Sequence, residues 1–224
     1  MYVIDINNRT GDFQQYSLVA ALPHVTGPTT PKVWSSVVAW VQAGGDQGAA
    51  LLAPKQLLAV AGNSHGPPAF GVGANVPATK PVNLGTAIEL SVRDGRPQIS
   101  EATPSRAIDP SAFELRTDGS FTASEAKNMN LIVGLGVSHS DGDDEDDEGG
   151  GYTGSSAVFT PQPNQWYKIK PRMAFYLTAE QYGPGSLIDV VRLGNYALEI
   201  DFSKTPGIDR MSVIHRPDGR LVFR

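Results

Sequence analysis

The chain has 224 residues, of which 18 are basic and 23 acidic, so its formal net charge is −5 at pH 7. It contains no cysteine, which excludes disulfide scaffolds, thiolate zinc sites and cysteine nucleophiles. Its 24 glycines and 17 prolines favour many short strands joined by turns over long helices. Lysine and arginine form no dense stripe, so nucleic acid is not an expected partner.

The first residues, MYVIDINNRTG, lack the basic and apolar regions of a signal peptide. Nowhere do 18 apolar residues run together, so the sequence predicts no membrane span. Together with the missing cysteines, these features predict a soluble cytoplasmic protein, with unconventional secretion as the alternative. The length fits a single domain over residues 1–224.

Alternation of apolar and polar residues predicts strands along the whole chain. Residues 49–62 are ambiguous, because alanine and leucine favour a helix and Pro54 interrupts it. Residues 63–83 are rich in glycine and proline and predict a long surface loop. The predicted strands are residues 2–6, 16–22, 33–41, 86–92, 129–138, 155–161, 165–179, 186–193 and 196–203.

Two of these segments carry more detailed predictions. Pro171 interrupts residues 165–179 and predicts an edge strand or a bend there. In residues 33–41, strict alternation predicts four side chains on one strand face. They are Trp34, Ser36, Val38 and Trp40.

Hairpin turns are predicted where Asp-Gly pairs lie between alternating runs, because glycine supplies the positive φ that such turns require. Residues 155–161 are expected to return antiparallel to the apolar strand 129–138, which leaves an acidic hairpin loop at about 139–154. The three Asp-Gly pairs are Asp94-Gly95, Asp118-Gly119 and Asp218-Gly219.

The predicted fold class is all-β, with about ten or more strands and at most short helical turns. Such a pattern is typical of an antiparallel two-sheet sandwich. A closed β-barrel is the alternative. The sequence has no internal repeat period, which argues against a propeller or solenoid.

Four segments occur in an order that spans nearly the whole chain: NNRTGDFQQYSLVAALP, KVWSSVVAWV, NLIVGLGVS and FTPQPNQWYKIKPRMAFYLTAEQYGPGSLIDV. This order resembles that of uncharacterised, mostly fungal, single-domain β proteins. The resemblance implies one compact β domain. It carries no settled activity and therefore implies no catalytic residues.

Candidate catalytic residues are carboxylates within apolar runs. Asp189 and Asp201 each lie between apolar neighbours, and a buried pair of carboxylates can perform general acid–base chemistry. The period-two alternation, however, predicts that both point outward to solvent, and Glu89 in AIELSV is a similar case. His65, beside Ser64 in the Gly/Pro-rich segment, is a third candidate, although no Gly-x-Ser-x-Gly elbow accompanies it.

Aromatic residues beside turn residues are the candidates for ligand binding. Trp and Tyr next to Asn, Gln and Asp can stack on carbohydrate rings or line apolar pockets. Most aromatic side chains of a β-sandwich lie in its core, which is the alternative for each of them. The candidates are Trp166, Tyr167, Tyr182 and Trp34.

Seven of the eight residues 141–148 are acidic, and without them 18 basic residues face 16 acidic ones, a balance of +2. Their alternation resembles the first ligands of a calcium loop, but the sixth and twelfth positions are not the required Gly and Glu. The segment predicts a solvated loop, a weak Ca²⁺ site or a docking surface for a basic partner. The candidate ligands are Asp141, Asp143, Glu145 and Asp147.

These features favour a soluble, cofactor-free, lectin-like binding module that recognises a glycan or another small molecule through aromatic side chains at loop ends. The first alternative is a cofactor-independent isomerase, cyclase or lyase with a pocket inside the β fold. The second is a structural or self-assembling protein, for which a second copy of the chain is the expected partner.

Overall fold

The computed structural model describes residues 1–103, 108–138 and 153–224. Within these ranges the chain forms 18 strands, two short α-helices and two 3₁₀ turns. The first nine strands are β1 (Tyr2–Asn8), β2 (Gln14–Ala20), β3 (His24–Thr26), β4 (Trp34–Ala43), β5 (Gly48–Ala53), β6 (Gln56–Ser64), β7 (Ala74–Pro81), β8 (Ala87–Arg93) and β9 (Arg96–Ala102). The others are β10 (Phe113–Thr117), β11 (Leu131–Ser138), β12 (Thr153–Phe159), β13 (Trp166–Lys170), β14 (Ala174–Thr178), β15 (Leu187–Ile188), β16 (Ala197–Asp201), β17 (Arg210–His215) and β18 (Leu221–Phe223). The helices are α1 (Ala123–Asn128) and α2 (Val190–Leu193), and the 3₁₀ turns are Gly194–Tyr196 and Phe202–Lys204.

The strands form three sheets, so the all-β prediction is confirmed and the count of two sheets is wrong. A four-stranded sheet has the order β18-β17-β1-β5, and a five-stranded sheet has the order β3-β13-β10-β8-β9. A nine-stranded sheet has the order β16-β14-β2-β4-β12-β11-β6-β7, with β15 paired to β4. In the described ranges none of the sheets closes into a barrel. Pairing is mostly antiparallel, but β1 with β17 and β8 with β10 are parallel.

Both smaller sheets pack on the same face of the nine-stranded sheet. On β11, Leu131, Val133 and Leu135 join an apolar cluster with residues of β8, β10 and β13. Val137, on the same strand, joins a second cluster with residues of β1, β5 and β17. Because alternate residues of a strand point to one face, both clusters lie on one side of β11. The large sheet therefore carries two adjacent cores, each covered by its own small sheet.

The opposite, outer face of the large sheet is covered in part by loops. Ile132 and Val158 point to this face and pack with Phe70 and Leu187. The loop backbones are tied to each other, since Gly71 N donates to Leu187 O at 2.8 Å. Residues 65–73 and the segment that leads into β15 thus pack over part of this face.

Two of the three Asp-Gly hairpins are confirmed. Asp94 and Gly95 both have positive φ, 50° and 72°, in the two-residue turn that joins β8 to β9. Gly219 lies at φ 80° in the turn from β17 to β18. The hairpin predicted at Asp118-Gly119 is wrong, because the chain continues there into α1 instead of a return strand.

The segment 49–62 contains two strands and no helix. Pro54 and Lys55 separate β5 from β6, and the two strands belong to different sheets. The predicted loop 63–83 is shorter than expected, since β7 forms an edge strand of the large sheet. Prolines are tolerated at such an edge because one side of the strand needs no ladder hydrogen bond.

No helix in the described part of the chain is long and apolar enough to span a membrane.

The predicted apolar strand is β11, an interior strand of the large sheet. All residues of β11 from 131 to 137 are buried, and β12 returns antiparallel to it, as predicted. A Cβ built at Gly134 would clash with the Ala157 carbonyl oxygen and lie 2.9 Å from the Val158 Cα. The glycine therefore permits close approach of β12. The predicted acidic loop between these strands lies outside the described residues.

Candidate functional site

A groove of about 450 Å³ crosses the outer face of the five-stranded sheet. Its floor follows the strand register, in which Arg116 on β10 lies between Glu89 on β8 and Trp166 on β13. Trp166 is half-buried and lines the groove. The described lining residues are Glu89, Glu114, Arg116, Thr117, Asn164, Gln165 and Trp166.

An ion pair fixes the centre of this groove. Arg116 Nε donates to Glu114 Oε1 at 2.6 Å, and the two side chains are only 21% and 5% exposed. A second guanidinium nitrogen, Nη1, donates to the carbonyl oxygen of Thr103 at 3.1 Å. Charge-assisted bonds of this kind hold the guanidinium in one orientation. The guanidinium is therefore held in one place in the floor of the groove, on the strand next to Trp166.

The turn before β13 positions the remaining polar side chains. Gln165 N donates to Thr117 Oγ1 at 2.9 Å, and that hydroxyl donates to Gln162 O at 2.6 Å. Asn164 adopts a positive φ of 53°, a conformation that asparagine tolerates better than most residues. These contacts tie the turn to the end of β10 and bring Asn164 and Gln165 to the rim of the groove.

Gln165 has the most informative side chain of the groove. Its Oε1 is buried and accepts no hydrogen bond from any described group. A buried acceptor without a donor costs about 1–3 kcal/mol, so most buried acceptors in proteins are satisfied. Because this oxygen is itself buried, a hydroxyl or amine of a bound molecule reaches it only if the Gln165 side chain turns towards the groove.

Tyr167, predicted with Trp166 as a ligand contact, lies in the core. Its ring has no exposed surface and is tilted against Phe159 at a centroid distance of 4.8 Å. Its hydroxyl accepts from Gln162 N at 2.9 Å. Adjacent residues of a strand point to opposite faces, so the position that turns Trp166 to the groove turns Tyr167 inward.

Tyr182 and Trp34 lie on the outer face of the nine-stranded sheet, away from the groove. Both belong to clusters that include Phe70, and the Phe70 and Tyr182 rings meet edge to face at 5.7 Å. Trp34 is 8% exposed, and Lys32 Nζ lies 3.9 Å from its ring centroid. Trp34 is therefore a packed residue capped by a lysine.

The hydroxyl of Tyr182 forms a hydrogen bond with a neighbouring carboxylate, in which it donates to Glu180 Oε2. Partial burial, and then the hydrogen bond to Glu180, raise the pKa of Tyr182 to about 12. The phenol therefore stays protonated at neutral pH.

Asp189 and Asp201 both cap short helical turns. Asp189 accepts from Val191 N at 3.3 Å and lies 3.6 Å from Lys32 Nζ. Asp201 accepts from Ser203 N at 3.0 Å and from Ser203 Oγ at 2.5 Å.

The hydrogen bond from the Ser203 hydroxyl is the main reason that the pKa of Asp201 is lowered, against a smaller opposing effect of burial. A carboxyl with a lowered pKa is a poor general acid at neutral pH.

His65 is exposed in the loop 65–73, where its backbone N donates to Gly73 O at 2.9 Å. Ser64 Oγ, beside it in sequence, donates to Gly66 O at 2.7 Å. The described contacts join none of His65, Asp189 and Asp201 to one another.

The described residues contain no group of three or more His, Asp or Glu that could hold a metal ion. The predicted calcium ligands Asp141, Asp143, Glu145 and Asp147 lie outside the described residues, so that prediction stays a prediction.

The sequence predicts Trp166 as a ligand contact, and the structure places it in the lining of the groove, but the sequence does not predict that the other lining residues lie around it. Nothing in the local sequence of Glu114 and Arg116 marks them, whereas Glu89 carries the same signal as Asp189 and Asp201, a carboxylate within an apolar run. Gln165 directly precedes Trp166 in the segment NQW, and this adjacency to a predicted ligand contact is the sequence signal that could have indicated it.

Comparison with known proteins supplies no further guide to the site. No family model, no curated protein and no solved structure matches the chain.

Proposed function

We infer that this protein is a ligand-binding module that recognises a glycan through the groove on its five-stranded sheet. The observation that carries the proposal is the buried, unpartnered Oε1 of Gln165 beside Trp166 in that groove. The groove has a volume of about 450 Å³ and is open to solvent, a shape that suits one ring or a few rings of a longer chain lying along it.

The chemistry of the lining suits a ring with many hydroxyl groups. Trp166 lines the groove, and an indole is a side chain that stacks on the face of a sugar ring. The carboxylate of Glu89 accepts hydrogen bonds from hydroxyls, and so does Gln165 Oε1 once its side chain turns towards the groove, whereas the amide of Asn164 donates to hydroxyl or ring oxygens. A sugar needs both kinds of partner, because each hydroxyl donates once and accepts twice.

The test begins with the full chain on an array of neutral, acidic and amino-bearing oligosaccharides, followed by calorimetric titration of the strongest hit. We expect Trp166→Ala to weaken binding at least tenfold, equal to about 1.4 kcal/mol. Trp166→Phe, which keeps an aromatic face, should lose less. Phe223→Ala, which removes an aromatic side chain 49% exposed on the four-stranded sheet, is the matched control and should bind as wild type.

Gln165→Leu separates a binding role from a structural one. Removal of an unsatisfied buried acceptor should leave the free energy of unfolding unchanged or higher, while affinity falls by about 2- to 12-fold for one lost neutral hydrogen bond. A blank array, or full affinity in both Trp166→Ala and Gln165→Leu, would refute the proposed function. Lower stability of Gln165→Leu with unchanged affinity would assign the side chain to the fold.

A further inference from the structure

Among the described residues of the groove, Glu89 is a carboxylate without an ion-pair partner. It is half-buried on β8 and lines the groove, and no described group donates a hydrogen bond to it. A carboxylate that is partly removed from water is stabilised by a donor or a positive charge beside it. The groove therefore holds an acceptor group that a bound cation can complete.

The charged side chains next to Glu89 have described partners of opposite sign. Arg116, which lies beside Glu89 in the register of β8 and β10, donates to Glu114. Lys168, opposite Glu114 on β13, lies 3.8 Å from Asp109. Each pair offsets its own charge, so the described groups leave the negative charge of Glu89 uncompensated at the groove.

Glu89 and Trp166 lie at the two sides of the groove floor. Arg116 lies between them in the strand register, and neighbouring strands are about 4.8 Å apart, so their backbones are about 10 Å apart. A disaccharide spans a similar distance, so one ring can contact Trp166 while the next brings a substituent to Glu89. Lys170, another cation of this face, lies at the end of β13, about 13 Å along the strand from Trp166.

The carboxylate of Glu89 discriminates between classes of glycan. An uncharged sugar offers it neutral hydroxyl donors, and an acidic sugar brings a second negative charge. A protonated amine donates charge-assisted hydrogen bonds, which are about twice as strong as neutral ones. A sugar with a free amino group is thus the class that Glu89 favours.

We propose that the groove prefers glycans with free amino groups and that Glu89 binds the ammonium group. The inference rests on the proposed function and names the sugar class for the same groove. It makes no claim about the linkage between the rings.

The experiment compares two soluble probes by calorimetry at low salt, a hexamer of glucosamine and the same hexamer with every amine acetylated. Acetylation removes the positive charges and keeps the rings and their linkage. At a pH at which the free amines are protonated, wild type should bind the glucosamine hexamer about threefold more tightly or better, as one partly exposed ion pair allows. Glu89→Gln should bring the two affinities within about twofold, and Glu89→Lys should favour the acetylated hexamer.

Glu101→Gln is the matched control. It removes the same charge from the neighbouring strand β9, where Glu101 pairs with Lys80 at 3.1 Å instead of lining the groove. This variant should keep the wild-type preference for the glucosamine hexamer. Thermal unfolding checks that every variant is folded.

Equal wild-type affinity for the two hexamers, or a preference that survives in Glu89→Gln, overturns the inference and leaves the proposed function standing. A lysine hexapeptide that binds wild type as tightly as the glucosamine hexamer also overturns it, because the groove would then accept any cation. Absence of binding to both hexamers overturns the inference as well. The proposed function falls with it only if the oligosaccharide array is blank.

Discussion

Mild acid should destabilise this protein through one buried histidine. His215, at the end of β17, is 4% exposed, and its Nδ1 lies 3.0 Å from the hydroxyl of Tyr16 on β2. The contact bridges the four-stranded and nine-stranded sheets. Burial lowers the pKa of His215, against smaller opposing effects of the Gly219 backbone and Asp218.

The direction of the pH dependence follows from that lowered pKa. Below about pH 6.5 the unfolded chain binds a proton on this histidine, whereas the folded chain does so only at lower pH. The stabilisation is therefore complete above pH 6.5 and is lost as the pH falls from there through the folded pKa. One proton of difference gives a slope of at most about 1.4 kcal/mol per pH unit.

The assay is urea unfolding at 25 °C from pH 7.5 to pH 5.5, with the denaturant slope required to stay constant. The lower limit avoids the carboxyls with lowered pKa, such as Asp5 beside Arg210 and Asp109 beside Ser111, which act at lower pH. We expect His215→Gln to be less stable at pH 7.5 and to lose most of the change in unfolding free energy between pH 7.5 and pH 5.5. His24→Gln, at an exposed histidine, should keep the pH dependence of wild type. A wild-type pH dependence of the unfolding free energy in His215→Gln would refute the argument.

Two further substitutions test the packing and the local structure. Gly134→Ala should cost about 1–3 kcal/mol or more in unfolding free energy, because its Cβ would clash with the Ala157 carbonyl oxygen. Gly66→Ala, whose Cβ would meet open space, should cost little, and equal chemical denaturation midpoints would contradict the close-approach argument. Thr122→Ala should cost about 0.5–2 kcal/mol, because Thr122 Oγ1 accepts from Glu125 N in the capping box of α1. Thr122→Ser should keep most of the wild-type stability in thermal unfolding. Wild-type stability in Thr122→Ala would show that the cap is dispensable.

Several features of the fold could be predicted from the sequence because they depend only on residues that are close together along the chain. Asp94-Gly95 forms a tight hairpin turn since the turn needs positive φ at both residues. The apolar run at β11 is buried because no polar side chain in it needs water. The capping box before α1 was also present in the sequence, as TASE, and it explains why Asp118-Gly119 leads to a helical turn instead of a hairpin.

The candidate site was only partly predictable, because a groove is a property of neighbouring strands. The turn residues beside Trp166 predict it as a ligand contact, but the sequence contains no sign that Glu89 and Arg116 lie next to it. Those neighbours follow from the pairing of β10 with β8 and β13, which are distant along the chain.

By itself, the sequence determined the all-β class, most strand positions and the sharpest turns, since alternation and glycine geometry act within a few residues. Only the tertiary structure decided which strands pair and which face each side chain takes. A bulge where β4 meets β2 places Trp34, Val37 and Trp40 on the outer face and Val38 in a core, against strict alternation. Such a shift depends on the partner strand, and no local pattern encodes it.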